Sequence, residues 1–384
     1  MTENINHAER AHALLSASSS ARWLACPPSA VAAEAYPQQD TPFTREGTLA
    51  HEVAEAVVRQ RLFQPDLVWR DTEKDVTDEM IDCANGYADY IQEQIKDSDA
   101  VILLEQQVDF SPWVPEGFGT ADCLIFQGDT MDVVDYKFGR GQVVSAEDNP
   151  QLKLYGLGAW YDYGFVYDIK NVRLHIYQPR INNISTYSLT VDELATWGVE
   201  IVRPTAEKAA KGEGEHTPGV HCTFCPHAGR CRALTDTCTE YVRTHGMEST
   251  VPVLAPWEVA EVLRMEPLIS LWLKRVKDQA LNTLLNGGEV PGYKVVEGKM
   301  GNRKWSDELK VAEVLRKAGY SHMEITETKL LGPAGMDKAI GKKRVAELLT
   351  ALIDRSPGAP TVVREEDNRP KYDPAAETLK DLNG

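Results

Sequence analysis

The residues best placed to do chemistry lie in the stretch Gly119-Thr-Ala-Asp-Cys-Leu-Ile-Phe-Gln-Gly-Asp-Thr-Met-Asp-Val-Val-Asp-Tyr-Lys137. Two apolar-rich runs flank Gly128-Asp129, a dipeptide suited to the two-residue primed turn of a β-hairpin. Centring a hairpin there makes opposed residue numbers sum to 257, which pairs Gln127 with Thr130, Phe126 with Met131, Leu124 with Val133 and Asp122 with Asp135. The last three pairs share a face, because side chains alternate along a strand. Two carboxylates therefore oppose each other with β-carbons about 5 Å apart. Like charges so placed repel unless something neutralises them, and a divalent cation with hard oxygen ligands, magnesium or manganese, does so. Lys137 returns to the same face, close enough to orient a water or to stabilise charge on a phosphate. An arbitrary Asp-x-Lys is rarely catalytic; its register with Asp122 is what sets this one apart. Glu105, one strand earlier, is either a further carboxylate of the site or an edge charge.

A second constellation is Cys222-Thr-Phe-Cys225-Pro-His-Ala-Gly-Arg-Cys231, with the spacing C-x2-C-x5-C in a loop whose glycine and proline let backbone wrap a metal centre. Three thiolates leave a tetrahedral site one ligand short. Cys26, Cys238, His221 and His227 are the candidates, and proximity in sequence favours Cys238 or a histidine around a structural zinc. Seven cysteines, an odd number, argue for metal binding or free thiols rather than a disulfide framework. Cys83 and Cys123 stand in apolar surroundings and read as core thiols.

Several elements must hold these groups. Residues 16–25 read as a short serine-capped helix stopped by Cys26-Pro27-Pro28. A second helix spans about 45–62, with His51 and Glu55 one turn apart, and a third about 78–96. Strands follow at 101–110, 121–126, 131–137 and 172–178, interrupted by a helix at 149–161 and succeeded by one at 191–211. Helices around a mixed, hairpin-bearing sheet define an α/β class. Past 247 the pattern turns mostly helical, at 256–285, 306–318 and 342–354. Three regions are expected: a main domain over 1–246, a mostly helical accessory region over 247–355, and an extended or disordered tail over 356–384.

Gly119-Thr-Ala-Asp122, then Asp135-Tyr-Lys137, then Gln151-Leu-Lys-Leu-Tyr155 on the next helix resemble, in spacing and order, the RecB-like branch of the PD-(D/E)XK nuclease superfamily. Gly47-Thr-Leu-Ala-His51 looks like the G-x-x-x-H element of that branch. The resemblance implies a restriction-endonuclease-like core, in which His51, Asp122 and Asp135 bind the metal and Lys137 helps position the nucleophile. Gln151 and Tyr155 would contact substrate or brace the ligands. His51-Glu52-Val-Ala-Glu55 lacks the second histidine of a zinc protease. Iron–sulfur members of the branch, such as the AddB subunit of helicase-nucleases and the Cas4 family, take one cysteine upstream of the nuclease motifs and three downstream. By that resemblance a [4Fe-4S] cluster sits on Cys26, Cys222, Cys225 and Cys231, with zinc as the alternative. The whole chain also looks like an uncharacterised family common in bacteriophages and prophages. The RecB-like body with its cluster implies a DNA exonuclease acting on linear ends or single strands, and the phage relatives suggest a role in recombination or replication with a phage recombination protein as a partner. A noncatalytic nucleic-acid-binding protein that keeps the fold is the competing expectation.

Composition bounds these readings. With 42% hydrophobic and 26% charged residues the chain is a globular protein. Lacking a long apolar run or an apolar leader, it is expected in the cytosol, that of a bacterial host if phage-encoded. Its net charge of −17 opposes nonspecific coating of nucleic acid, so local cations or bound metal must hold any polyanion. Basic clusters at 302–305 and 341–344 are candidates for a phosphate backbone or are solvated faces. The apolar stripe Trp257, Leu263, Ile269, Trp272, Val276 and Leu284 reads as core.

Overall fold

The computed structural model describes residues 13–36, 41–64, 75–246, 255–295 and Lys317. The chain divides into two compact units, Met1–Val296 and Glu297–Gly384. Of the second only Lys317 is described, so the helices expected at 306–318 and 342–354, both late basic clusters and the tail lie outside the described residues.

The first unit is built on a mixed five-stranded sheet, ordered β1-β2-β3-β4-β5: β1 (Val101–Asp109), β2 (Phe118–Gln127), β3 (Thr130–Tyr136), β4 (Asn171–Gln178) and β5 (Asn183–Thr190). All neighbours are antiparallel except β3 and β4. That parallel pair needs a crossover, which α5 (Pro150–Tyr167) provides. Preceding the sheet are α1 (Ser20–Ala25), α2 (Ser29–Glu34), α3 (Pro42–Phe63) and α4 (Asp78–Gln94). The fold is α/β, with a mostly helical segment after the sheet.

Alternation along β2 and β3 splits the interior in two. Leu124, Phe126, Met131 and Val133 face a core made with α5. Cys123, Ile125, Val134 and Tyr136 face a second core, with Val53, Val57, Tyr87 and Ile91 of α3 and α4. The first half of α5 is buried and apolar through Leu152, Leu154, Leu157 and Ala159, as a helical segment without a water-facing stripe must be, whereas Tyr161, Phe165 and Val166 of its second half are exposed.

The hairpin register follows the Gly128 turn, where φ is +56°: Gln127 opposes Thr130, Phe126 opposes Met131, Leu124 opposes Val133 and Cys123 opposes Val134. The pairing ends there, with Asp122 and Asp135 one position beyond it.

Four local expectations are corrected. Residues 16–25 form a 3-10 turn (Ala17–Ser19) followed by α1, and no serine caps them through its side chain; Ser16 Oγ instead bonds Ser19 Oγ at 2.9 Å. The helix expected at 191–211 is α6 (Val191–Trp197), a π-helical turn (Gly198–Val202) and α7 (Arg203–Lys211). Pro204 has no N–H to continue the ladder, and a β-carbon on Gly198 would stand 2.8 Å from the Trp113 ring. Strand β5 escaped notice because its inward residues include Asn183 and Ser185 while Ile184 is exposed, which inverts the usual alternation. Finally, α8 (Arg232–Gly246) is followed by α9 (Pro256–Leu285), none of whose residues is fully buried. Leu268, Ile269, Leu271 and Trp272 pack on the cysteine-rich loop, whereas Trp257 is 67% exposed and Leu263 47%.

Fully buried Asp132 is the one carboxylate of the sheet interior with a complete set of donors. Its Oδ1 lies 2.9 Å from His175 Nε2 and 2.7 Å from Arg173 Nε, and its Oδ2 accepts from Gln127 Nε2 at 3.0 Å. His175 Nδ1 in turn meets Tyr90 Oη at 2.8 Å. Burial favours the neutral acid, but the bonds from His175 and Arg173 outweigh it and hold Asp132 below its ordinary 3.8. A carboxylate that ionises more readily folded than unfolded contributes stability that is complete above that ordinary value and is lost as pH falls through the folded one. Asp132→Asn is therefore expected to cost about 3 kcal/mol at neutral pH. In urea unfolding followed from neutral to acid pH, the variant should show a shallower acid limb than the wild type; parallel limbs would contradict this role.

Candidate metal centre and cysteine cage

Four elements converge where β2 and β3 diverge from their ladder. Helix α3 starts at a capping box in which Thr41 Oγ1 accepts from the Thr44 amide and Thr44 Oγ1 from the Thr41 amide, and it carries His51. The first turn of α5 is fixed by Asn149, whose side chain accepts from the Gln151 and Leu152 amides. That cap sets the direction in which Gln151 and Tyr155, one turn apart, project.

Asp122 Oδ2 accepts from the Tyr136 amide at 2.7 Å, and Oδ1 lies 3.5 Å from His51 Nδ1. The His51 ring stands edge-on to Tyr136, centroids 5.3 Å apart. Glu105 completes the group: one ligand atom each from His51, Glu105 and Asp122 lie within 4.8 Å of one another. Glu105 faces Asp122 across the β1–β2 ladder, which is broken at that position alone, and its φ of +48° is left-handed. A non-glycine residue held there is strained by about 1–3 kcal/mol, and the strain falls on the residue that turns a carboxylate toward the histidine.

Asp135 does not join that trio. Its Oδ2 lies 2.9 Å from Lys137 Nζ and its Oδ1 accepts from Gln151 Nε2 at 3.2 Å. Lys137 Nζ also donates to Gln151 Oε1 at 3.2 Å, and Gln151 Nε2 reaches Tyr155 Oη at 3.2 Å. Of the expected ligands, His51 and Asp122 stand together with Glu105, while Asp135 pairs with the Lys137 ammonium beside it. Asp135 Oδ2 is buried and, although 2.9 Å from Lys137 Nζ, accepts no well-directed hydrogen bond.

The electrostatics match this division. Burial raises Asp135, and Asp122 adds to it against the opposing pull of Lys137, so its pKa lies above the ordinary carboxylate value. At Asp122 burial acts the same way but His51 outweighs it, and the pKa falls. His51 and Lys137 are both raised: burial lowers each, and the carboxylate of Asp122 or Asp135 more than compensates. Tyr155 is raised strongly by burial and stays a neutral phenol. The carboxylate oxygens of Glu105 and Asp122 with one imidazole nitrogen of His51 form a donor set that fits magnesium or manganese.

The second assembly is the cysteine cage. Cys26, Cys222, Cys225 and Cys231 line one small enclosed cavity with Ser29, His216, His221 and His227. Cys26 enters from the end of α1, and the others from two 3-10 turns, Val220–Phe224 and Ala228–Arg230. Cys238, favoured by sequence proximity, points instead at the carbonyl of Leu268, 3.9 Å away. His221 Nε2 is bonded to the Thr217 carbonyl at 2.8 Å and His227 Nδ1 to Tyr36 Oη at 3.1 Å. Burial raises the Cys222 and Cys225 thiols. Gly229 lets the backbone of α9 approach: a β-carbon there would stand 2.5 Å from the Arg275 carbonyl. Arg275 in turn bonds the Thr223 carbonyl. All seven cysteines are free thiols; Cys123 is a fully buried core thiol and Cys83 packs half-buried at the margin of the same core.

The family model described as "Protein of unknown function (DUF2800)" matches residues 12–370. The chain belongs to the DUF2800 family. Among solved structures, "Crystal structure of SSO0001" is similar to this DUF2800 member at 14% identity, with a TM-score of 0.32, covering 59% of this chain and 91% of that one. No described helix is long and apolar enough to cross a membrane.

Sequence reasoning left Glu105 undecided, and only the left-handed kink in β1, invisible in residue types, brings it in. Two measurements check the assignments. Saturating Mn2+ should raise the melting temperature of the wild type, by the equivalent of about 2.7 kcal/mol at a hundredfold excess over Kd. Asp122→Ala should abolish that rise and Glu105→Gln most of it; an unchanged rise in Glu105→Gln would remove Glu105 from the site. For the cage, Cys26→Ser should deplete bound iron or zinc measured by elemental analysis, while Cys238→Ser should leave it at the wild-type level.

Proposed function

We propose that this chain is a metal-dependent deoxyribonuclease that hydrolyses phosphodiester bonds at linear ends or in single strands, as an exonuclease would in phage or prophage recombination or replication. The observation that carries the reading is the convergence of His51, Glu105 and Asp122 within 4.8 Å, with Asp135, Lys137 and Gln151 bonded together behind them. A divalent cation bound there supplies Lewis acidity toward water and a phosphoryl oxygen. The rest is the protein's work. Lys137 holds a positive charge beside the phosphate, and burial keeps the surrounding field strong. Gln151 holds Asp135 and Lys137 in a fixed relation, and Tyr155 braces Gln151. Gly119 is required for that brace, since a β-carbon there would stand 2.8 Å from the Tyr155 ring.

The four-cysteine cage, with one thiol upstream of the nuclease motifs and three downstream, is read as the seat of a [4Fe-4S] cluster, with structural zinc as the alternative. Such a group ties Cys26 to Cys231 across the sheet and acts structurally. The competing reading, a nucleic-acid-binding protein without catalysis, draws on the net charge of −17 and on the ion pair between Asp135 and Lys137.

Anaerobically purified protein incubated with linear and circular DNA, single- and double-stranded, in Mg2+ or Mn2+ separates these. Degradation of linear DNA is expected, reduced at least about a hundredfold in Lys137→Ala. Cleavage that survives Lys137→Ala unchanged removes this mechanism, and binding without cleavage favours the second reading. A visible absorption band near the iron–sulfur range, lost on oxidation, distinguishes the cluster from zinc.

A further inference from the structure

Three glycines border the candidate metal centre with no reason inside the described chain to be glycine. Gly47 lies within α3, one turn before His51, and Gly139 and Gly141 follow Lys137. A β-carbon on any of them would meet nothing within 4 Å among the described residues, and none has left-handed backbone. Other glycines have an evident cause: Gly86 lies against Tyr177, Gly119 against Tyr155 and Gly158 against Val108, while Gly128 and Gly212 turn at positive φ. Glycine inside a helix is less stable than alanine. One kept there without a packing cause points to close approach by something from outside the chain.

The loop from Gly139 to Val143 is exposed throughout, yet it is held from beneath. Buried Gln178 donates from Nε2 to the carbonyls of Gly139 and Gln142, both at 2.8 Å, and its Oε1 accepts from the Val144 amide at 3.2 Å and from Asn183 Nδ2 at 3.0 Å. The loop's carbonyls are thereby turned inward. Its amides, from Gly139 to Val143, have no acceptor among the described residues.

Arg180 fastens this loop to α3. It donates to Glu46 Oε1 at 3.1 Å and to Glu79 Oε2 at 3.2 Å, and its guanidinium lies 4.3 Å from the centre of the Phe138 ring. Arg140 pairs with Glu79 as well. Glu46, next to Gly47, and Phe138, next to Gly139, therefore share one guanidinium, which links the two glycine-bearing segments.

We propose that Gly47 and the 139–143 loop form a backbone cradle for a nucleic-acid strand at the metal centre: the bare helix flank admits the strand, and the free amides donate to a phosphate neighbouring the one attacked. This rests on the nuclease reading above. Preorganised main-chain N–H groups hold anions without any cationic side chain, which suits a chain whose net charge is −17. Glu46 and Glu79 beside the cradle are ion-paired with Arg180 and Arg140.

The test is fluorescence anisotropy with a short fluorescein-labelled DNA strand, single or duplex, with Ca2+ in place of Mg2+, alongside thermal melting and cleavage assays in Mg2+. Gly47→Ala should raise the melting temperature, because alanine is the better helix former, and yet weaken DNA binding roughly tenfold. Gly141→Val should weaken binding to a similar degree at unchanged melting temperature. Because the donors are neutral, the slope of log affinity against log salt should match the wild type in both. Wild-type affinity in both variants, with the wild type cleaving DNA, overturns the cradle and leaves the nuclease standing. A lowered melting temperature in Gly47→Ala would assign that glycine to packing and also overturn the cradle. A wild type that neither binds nor cleaves DNA overturns both readings.

Discussion

Two carboxylates at the open end of a hairpin, one position beyond its last paired residues, are the constraint around which this structure is arranged. Neither can be moved without moving the register that buries Leu124, Phe126, Met131 and Val133, since a slip of one residue turns every side chain to the opposite face. Their repulsion is met by separating them electrostatically. Asp122 is turned to His51 and the Tyr136 amide, Asp135 to Lys137 and Gln151. Two helices from different parts of the chain, α3 and α5, are needed to bring those partners, and the capping of each by Thr41 and by Asn149 is what aims them. The same sheet holds Asp132 equally buried but fully bonded, which shows what a settled carboxylate looks like in this interior and marks Asp135, one of whose oxygens lacks a well-directed hydrogen bond, as different.

The hairpin was legible because its turn carries a conformational requirement. Gly128-Asp129 fixes the pairing, and alternation does the rest. Strand positions β1 to β4 and helix α9 follow from periodicity in the same way. Glu105 was not legible as a member of the site, because its position depends on a left-handed backbone angle in mid-strand, which no pattern of residue types announces. Strand β5 was missed for the opposite reason: it is an edge strand whose inward face holds Asn183 and Ser185, used to bond the loop after Lys137 and the turn before α5. Hydrophobic alternation reports burial in a core, and this strand is there to make polar contacts. The interruption between α6 and α7 is a tertiary effect, in which the Trp113 ring occupies the space a side chain at Gly198 would need.

Choice of the fourth thiol illustrates how sequence distance misleads. Cys238 is seven positions from Cys231 and follows it on a helix, yet the helix directs it away, toward Leu268. Cys26, nearly two hundred positions upstream, arrives because Trp23 of α1 is wholly buried in the core beside α5, which leaves the end of α1 facing the loop. Helix α9 then closes the other side, with Gly229 permitting backbone contact and Trp272 Nε1 donating to Thr235 Oγ1 at 3.2 Å. The cage is thus walled by the first and last described helices of the unit.

That long-range closure has a bearing on biogenesis. A chain emerging from the ribosome presents Cys26 early, but its three companions follow only after the sheet and α5 have been synthesised. Whatever the four thiols hold can be enclosed only once the central layers have folded well enough to bring α1 beside the 222–231 loop. A nascent chain halted anywhere in between would carry a solitary thiol next to an open flank. The four thiols therefore meet late, and their meeting reports that the domain beneath them is complete.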